Sequence, residues 1–517
     1  MKLYPYIEGA TDGLPRITRE QHHYIEQMVA EPTGGVLNAT DMGGGKTVMA
    51  VEHLLRVGAK RALVIGVKDT FGQWAEQFAE QSDGAVKLRR IDSTKAGKQN
   101  LAAMLAGEEG IFFGGSQFLT RQDWEYVGRV DVYGEPVMKL DKEGEPTDKQ
   151  ETDRVHKGIY RRMAPLEMII LDECHIVAAN RKNVALSTLK TMRTEWKVAL
   201  SGTPYGNKFE NMWSIARWVW GDLIDGSFHR WKNEWCEVST EEIYVGGKKR
   251  EIEKIEGEKV PGEFVKTLPC YVRIEAPVGP LPPATVVEVS LTDAQRAQYA
   301  QMEQDAIAWL REHGRTGSDA DLAPLVAEVA ISQRQRLRTA TLGEMSFNDG
   351  GEVDFNLDCK STKLNALAGV LRVWGDEKVV IYTDSKKFAK VAAERMNRAG
   401  LRTEAWHGDI PSARRDEIKA SFLKPVAEGG IQYIVAVIAA FGTGLDGFQR
   451  VCSKIIWLSE TEDGIQGEQA ARRIWRRGVD KDSFQHVKLI ARDTLDQGIF
   501  MGLQVKAELM SETLKAA

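Results

Sequence analysis

The run Met42-Gly43-Gly44-Gly45-Lys46-Thr47 gathers glycines, a lysine and a hydroxyl in consecutive positions. It follows the apolar stretch Val36-Leu37-Asn38-Ala39 and opens a helical pattern from Val48 to Leu55. A strand, a glycine loop and a helix in that order can cradle a phosphate chain. Glycines let backbone N–H groups curl around a phosphate, the helix N-terminus adds partial positive charge, Lys46 can bridge two phosphates, and Thr47 can ligate Mg²⁺. Thr40 stands where such loops usually begin with glycine, so a plain glycine turn beside a surface lysine stays open at this point.

A second set lies further along. Met168-Ile169-Ile170-Leu171 runs into Asp172-Glu173-Cys174-His175, and Val198-Ala199-Leu200 runs into Ser201-Gly202-Thr203-Pro204. A strand ending in two acids can place one carboxylate on a metal ion and the other beside an attacking water. Acid pairs at strand ends are common by chance. The same pair with a glycine loop upstream and Ser-Gly-Thr-Pro about thirty residues downstream is not. His22-His23 lacks partners at metal-ligand spacing, and Cys174 has no evident base to activate it.

These groups must be carried by strands and helices. Ala62 to Ile65, Ile111 to Phe113, Val379 to Tyr382, Tyr433 to Ala440, Ile455 to Leu458 and Val487 to Ile490 add further short apolar runs. Helical spacing follows many of them, as in Lys386 to Ala399 with Phe388, Val391, Ala392 and Met396 on one face and Gly400 as its stop. That alternation predicts parallel sheets covered by helices, in two α/β lobes. Five tryptophans between Asn211 and Trp235 (Trp213, Trp218, Trp220, Trp231, Trp235) are expected to pack helices, with an exposed base-stacking platform as the alternative. Glu241 to Lys259, with Gly246-Gly247, reads as an exposed hairpin or loop. Tyr133 to Lys157 and Glu312 to Asp321 read as solvated loops, and Gly279-Pro280-Leu281-Pro282-Pro283 as a linker.

Composition narrows the class. The chain has 517 residues, 43% of them hydrophobic and 28% charged, which excludes wholesale disorder and fibrous classes. The longest apolar run, Tyr433 to Phe441, falls well short of the roughly 20 residues of a membrane span. The first residues lack an apolar signal segment, and five dispersed cysteines suit neither a disulfide framework nor a zinc site, so a cytoplasmic protein with no membrane partner is expected. A net charge of −5 leaves no basic tail, so nucleic acid would have to be gripped by a local groove.

Taken together, these motifs resemble those of superfamily two helicases and, within them, the Swi/Snf-type DNA translocases of the compact bacterial and phage kind. The similarity runs from about Leu14 to Phe500. Gln21 falls at that family's adenine-reading glutamine. Leu63 to Val67 with Trp74, Gly114-Gly115-Ser116-Gln117 and Ser201 to Pro204 with Tyr205-Gly206-Asn207 are similar to motifs Ia, Ib and III. Pro282-Pro283 through Tyr299, Leu337-Arg338 and Lys363 match the approach to the second lobe. Lys378 to Thr383, His407-Gly408-Asp409, Gly442 to Asp446 and Gln469 to Gly478 resemble its later motifs. Asp41, Lys68 and Arg472 depart from the family's usual Glu, Pro and Gly.

The resemblance implies an α/β fold of two RecA-like parallel-sheet lobes with helical insertions between them. Lobe 1 would span 1–277, with a Trp-rich extension at 205–277; lobe 2 would span 278–517, with a helical approach at 285–350 and a core at 358–500. It implies a catalytic set of Lys46, Asp172, Glu173, Arg473 and Arg476. ATP contacts would come from Gln21, Met42, Gly43, Gly44, Gly45, Lys46, Thr47, Gly444 and Asp446, and Mg²⁺ would be held by Thr47 and Asp172. His175, Ser201, Thr203 and Gln469 would couple nucleotide to track. The arginines could instead form a solvated helix face or a nucleic-acid patch. The expected activity is a DNA-stimulated ATPase that moves along double-stranded DNA, acting as a monomer. A strand-separating DNA or RNA helicase, and a nucleotide-gated DNA-binding module without turnover, are the alternatives.

Overall fold

A computed structural model describes residues 17–130, 135–140, 146–178, 183–206, 208–245, 248–275, 278–313, 332–347, 353–441 and 447–504. The chain divides into two compact units. One takes the chain up to Glu234 together with Phe264–Glu275, and the other takes Trp235–Glu263 and the chain from Ala276 onward. Among the described residues no helix is long and apolar enough to cross a membrane.

The first unit is built on a seven-stranded, all-parallel sheet. Its strands are β1 (Gly35–Asn38), β2 (Arg61–Ile65), β3 (Leu88–Ile91), β4 (Gly110–Gly114), β5 (Leu166–Leu171), β6 (Thr194–Leu200) and β7 (Tyr271–Val272), in the spatial order β7-β1-β6-β5-β2-β4-β3. Successive residues such as Val36 and Leu37, or Ile169 and Ile170, are all fully buried, because both sheet faces are covered. Ile25 and Met28 of α1 (Arg19–Ala30), the Met49 to Leu55 face of α2 (Lys46–Val57), and Trp74 and Phe78 of α3 (Phe71–Gln81) cover one face. On the other, α4 (Asn211–Trp220) packs on β1 and β6. The tryptophans do mostly core work: Trp218, Trp220 and Trp231 are buried, Trp231 stacks on Phe209, and the Trp220 indole donates to the Gly35 carbonyl at 3.1 Å.

Six parallel strands form the sheet of the second unit. They are β8 (Thr285–Val289), β9 (Val379–Thr383), β10 (Thr403–Trp406), β11 (Tyr433–Val437), β12 (Lys454–Trp457) and β13 (Gln485–Ala491), ordered β8-β13-β12-β9-β11-β10. The helices used below are α5 (Thr362–Trp374), α6 (Lys386–Arg398) and α7 (Gly464–Ala471).

Five expectations are corrected. The apolar run from Tyr433 is a strand only to Val437, after which Ile438–Phe441 turn into a short helix. Tyr133 to Lys157 is no loop where described: Trp124–Gly128 pairs with Thr152–His156, and Met138–Leu140 with Pro146–Gln150, as narrow ribbons. Glu312 belongs to the helix Asp293–His313, and the residues from 314 to 321 lie outside the described ones. The Gly279 to Pro283 segment is pinned rather than free: Arg472 and the Trp475 indole both donate to the Gly279 carbonyl, at 2.8 and 3.2 Å. Glu241 to Lys259 lies mostly in the hairpin Cys236–Val245 with Lys248–Glu258, and that hairpin groups with the second unit rather than with the Trp-rich extension.

Lys363 on α5 is fully buried and pairs with the nearly buried Asp496; its ammonium also donates to the Leu458 carbonyl at 2.6 Å and the Thr341 hydroxyl at 3.3 Å. Removing one member of such a pair strands a charge in the interior, at a cost of about 3–5 kcal/mol. Asp496→Ala should therefore lower urea stability by that order. Asp409→Ala, which breaks the exposed pair with Lys386, should leave urea stability nearly unchanged. Similar effects at the two positions would mean that Lys363 finds other compensation.

Candidate active site

The glycine loop lies between β1 and α2. Its first turn is set by Asn38, whose side-chain oxygen accepts from the Thr40 N–H at 3.0 Å. Gly45 caps α2 with φ +92°, and a Cβ there would stand 2.2 Å from the Gln21 amide nitrogen. A Cβ on Gly44 would meet the Thr40 methyl at 2.4 Å. Glycine is thus required at 45 by backbone conformation and at 44 by space. No side chain caps the start of α2, so its first N–H groups face the loop as phosphate donors. Gln21 closes a capping box with Thr18 on α1 and donates its amide to the Gly44 carbonyl at 2.9 Å. It lies against the phosphate loop itself.

Sheet order brings the other motifs to this loop. Because β6 lies between β1 and β5, Ser201-Gly202-Thr203 emerges between the loop and the acid pair. The Lys46 ammonium donates to the Thr40 and Asp41 carbonyls at 2.7 and 3.2 Å, and a Cβ on Gly202 would lie 3.3 Å from it. Beyond Gly202, the His175 Nδ1 shares a 2.8 Å hydrogen bond with the Ser201 hydroxyl and lies 3.4 Å from the Glu173 carboxylate. The Thr203 N–H donates to the same hydroxyl at 3.0 Å. A chain of contacts therefore runs from Glu173 through His175 to Ser201 and Thr203.

Asp172 sits at the end of β5. Its Oδ2 accepts from the Trp74 indole N–H at 2.9 Å and its Oδ1 from the Glu173 N–H at 3.0 Å. Burial foremost, and then the adjacent Glu173 charge, push its carboxyl up to about 6, against the opposing pull of Trp74 and Lys46. Glu173 has φ +47°, an uncommon conformation for a residue with a side chain. Two adjacent carboxylates that repel, with the Thr47 hydroxyl opening α2, make a set of hard oxygen donors suited to Mg²⁺. Among the described residues no group of three or more His, Cys, Asp or Glu is placed to hold a metal ion. Cys174 is inert: burial and the neighbouring carboxylates push its thiol well above the ordinary value.

In the second unit, Gln469 is buried on α7, which ends at Ala471. Arg473 and Arg476 lie in the turns that follow, Arg473 donating its N–H to the Ala470 carbonyl and Arg476 to that of Ile474. Arg472, Arg473, Arg476 and Arg477 all follow the end of α7 and therefore do not share a helix face. Arg472, the departure from the family's glycine, bonds the Gly279 carbonyl and pairs with Glu468. Gly444 and Asp446 lie outside the described residues, as does Asn207. The sequence reading missed two features: Trp74 as a hydrogen-bond donor to Asp172, and Gly202 as the residue that makes room for Lys46.

A glycine loop, its lysine and an acidic strand end, gathered on one parallel sheet, define a phosphate-loop nucleotide-binding unit. Residues 20–326 match the SNF2-related domain family, and the chain belongs to that family. It is 21% identical over 512 residues to a "DNA repair and recombination protein RAD54-like" of Drosophila persimilis, covering 92% of this chain and 60% of that protein. With the "DNA repair and recombination protein RDH54" of Saccharomyces cerevisiae (strain RM11-1a) it shares 24% identity over 358 residues, 68% of this chain and 38% of that one. The chain thus spans about 60% or less of the length of these curated relatives. The solved "Sulfolobus solfataricus SWI2/SNF2 ATPase core in complex with dsDNA" aligns over 99% of this chain and 94% of its own, at 17% identity and a TM-score of 0.38.

The site divides its labour. Lys46→Ala removes the ammonium held over the loop and is expected to weaken binding of a fluorescent ATP analogue roughly 10- to 100-fold. Glu173→Gln leaves Lys46, Thr47 and Asp172 in place, so it should bind within a few-fold of wild type and turn over very slowly. Loss of analogue binding in Glu173→Gln would show that Glu173 holds nucleotide rather than activating water.

Proposed function

We propose that the chain is an ATP-driven motor on double-stranded DNA: a DNA-dependent ATPase that translocates along the duplex and remodels DNA or protein–DNA complexes. The observation that carries this reading is the convergence of Lys46, Ser201-Gly202 and Asp172-Glu173 at one sheet edge, in a member of the SNF2-related family. Lys46 and the N–H groups at the start of α2 bind the β- and γ-phosphates of ATP, and Gln21 contributes beside the loop. Thr47 and Asp172 hold Mg²⁺, which when bound neutralises phosphate charge and orients the γ-phosphate. Glu173 accepts the proton of the attacking water. His175, bonded to Ser201, relays the state of that carboxylate to the Ser201–Thr203 turn.

Arg473 and Arg476 are assigned to the transferring phosphate, Gly444 and Asp446 to ATP, and Gln469 to coupling, on family resemblance alone. The protein works in this reading as a cytoplasmic monomer on a track recognised through its phosphates.

Arginine fingers contribute roughly 10³ to 10⁵ in rate. Arg476→Ala should lose most DNA-stimulated turnover while keeping near-normal affinity for ATP; Arg477→Ala, on an exposed side chain, should stay within a few-fold of wild type. Equal losses would point to a charged patch. ATPase rates measured with duplex DNA, single strands and RNA at matched nucleotide concentration should be highest with duplex and should fall steeply with salt. Greater stimulation by RNA would move the protein to the RNA-helicase reading.

A further inference from the structure

We propose that Trp74 is a positioning residue for the Asp172 carboxylate, an inference that rests on the nucleotide-site reading. Trp74 lies on α3, 98 residues away in sequence, with only 1% of its surface exposed, yet its one polar hydrogen is spent on Asp172 Oδ2 at 2.9 Å. The other oxygen, Oδ1, accepts from the Glu173 N–H at 3.0 Å. Each carboxylate oxygen thus receives one hydrogen bond and keeps a lone pair for a cation. The two donors lie on different elements, α3 and the strand end, so together they fix rotation of the carboxylate about its last side-chain bond. With the indole N–H removed, only the local Glu173 bond would remain, and the carboxylate could turn away from the cation. The geometry recurs around metal ligands generally: a neighbour outside the coordination shell orients the ligand, and losing it costs roughly 10- to 100-fold in metal affinity.

The surroundings of α3 give this bond a second consequence. Lys68, two residues before the helix-opening Thr70, is exposed, and the Arg90 guanidinium lies 5.0 Å above the Phe71 ring at the start of α3. The Asp92 carboxyl is held below its usual range chiefly by Thr94, with Arg90 and Lys68 contributing. The start of α3 therefore carries balanced charge, Lys68 beside Asp69 and Arg90 paired with Asp92 at 3.2 Å, and Trp74 is one helical turn further on. A shift of α3 moves the donor of the Asp172 bond directly.

The test is the Mg²⁺ concentration needed for half-maximal binding of a fluorescent ATP analogue, which reads the cation site without turnover. Trp74→Phe, and incorporation of benzothienylalanine at 74 (sulfur in place of the N–H, shape retained), should both raise that concentration roughly 10- to 100-fold. Turnover at saturating Mg²⁺ should recover substantially. Phe78→Leu, a neighbouring core change with no bond to Asp172, should lower thermal stability and leave the Mg²⁺ requirement where it was. An unchanged requirement in the benzothienylalanine protein would overturn the role of Trp74 while leaving the nucleotide site standing. Wild-type protein that binds no nucleotide at any Mg²⁺ concentration would overturn the site reading, and this inference with it.

Discussion

The site depends on one ordering: β6 lies between β1 and β5, so the loops after these three strands leave the sheet side by side. Neighbouring strands are about 4.8 Å apart, which sets the phosphate loop and the acid pair roughly 10 Å from one another. Across that gap the Lys46 charge still pulls on the Asp172 carboxyl. What occupies the middle must then be small. Gly202 stands there, and even a methyl group at that position would press on Met42 at 3.2 Å and Lys46 at 3.3 Å. Right-handed crossovers on a parallel sheet bring every one of these loops to the same edge, the carboxyl ends of the strands.

The same edge gathers unfavourable local features. Asp172 is buried beside a like charge and its carboxyl is pushed up accordingly. Glu173 occupies a left-handed conformation, which costs of order 1–3 kcal/mol in a residue with a side chain. The N–H groups at the start of α2 have no side-chain cap. Each feature destabilises the unliganded protein, and each would be relieved by a bound phosphate chain with a divalent cation. A site that violates local rules in a concerted way is organised around a charged ligand.

Much of this was legible in the sequence, for physical reasons that also mark where legibility ends. Central strands of a parallel sheet are buried on both faces, so β1, β2, β5, β6, β9 and β12 announce themselves as continuous apolar runs. Edge strands do not. β3 carries Arg89 and Arg90, whose guanidinium groups lie over Phe112 and Phe71, and it left no apolar signature. The ribbons of the Trp124–His156 segment carry no continuous apolar run, and so read as loop. The Trp74–Asp172 bond joins residues from different motifs, and no local pattern encodes it. Gln21, by contrast, was assigned to adenine on resemblance alone, and its contact in the structure, the Gly44 carbonyl, needed the fold. Sheet order, the feature on which the site turns, is a property of topology rather than of any motif.

The central claim is that ATP turnover at this sheet edge moves the protein along intact duplex DNA. Strand separation would require breaking stacking of about 1.4 kcal/mol per base-pair step and a wedge to hold the strands apart. A motor gripping phosphates needs neither. The most direct measurement is displacement of a fluorescent third strand from a triplex, run beside a forked duplex of the same length. The account predicts ATP-dependent release of the third strand, abolished in Glu173→Gln, with little release from the fork. Efficient unwinding of the fork without triplex displacement would contradict it.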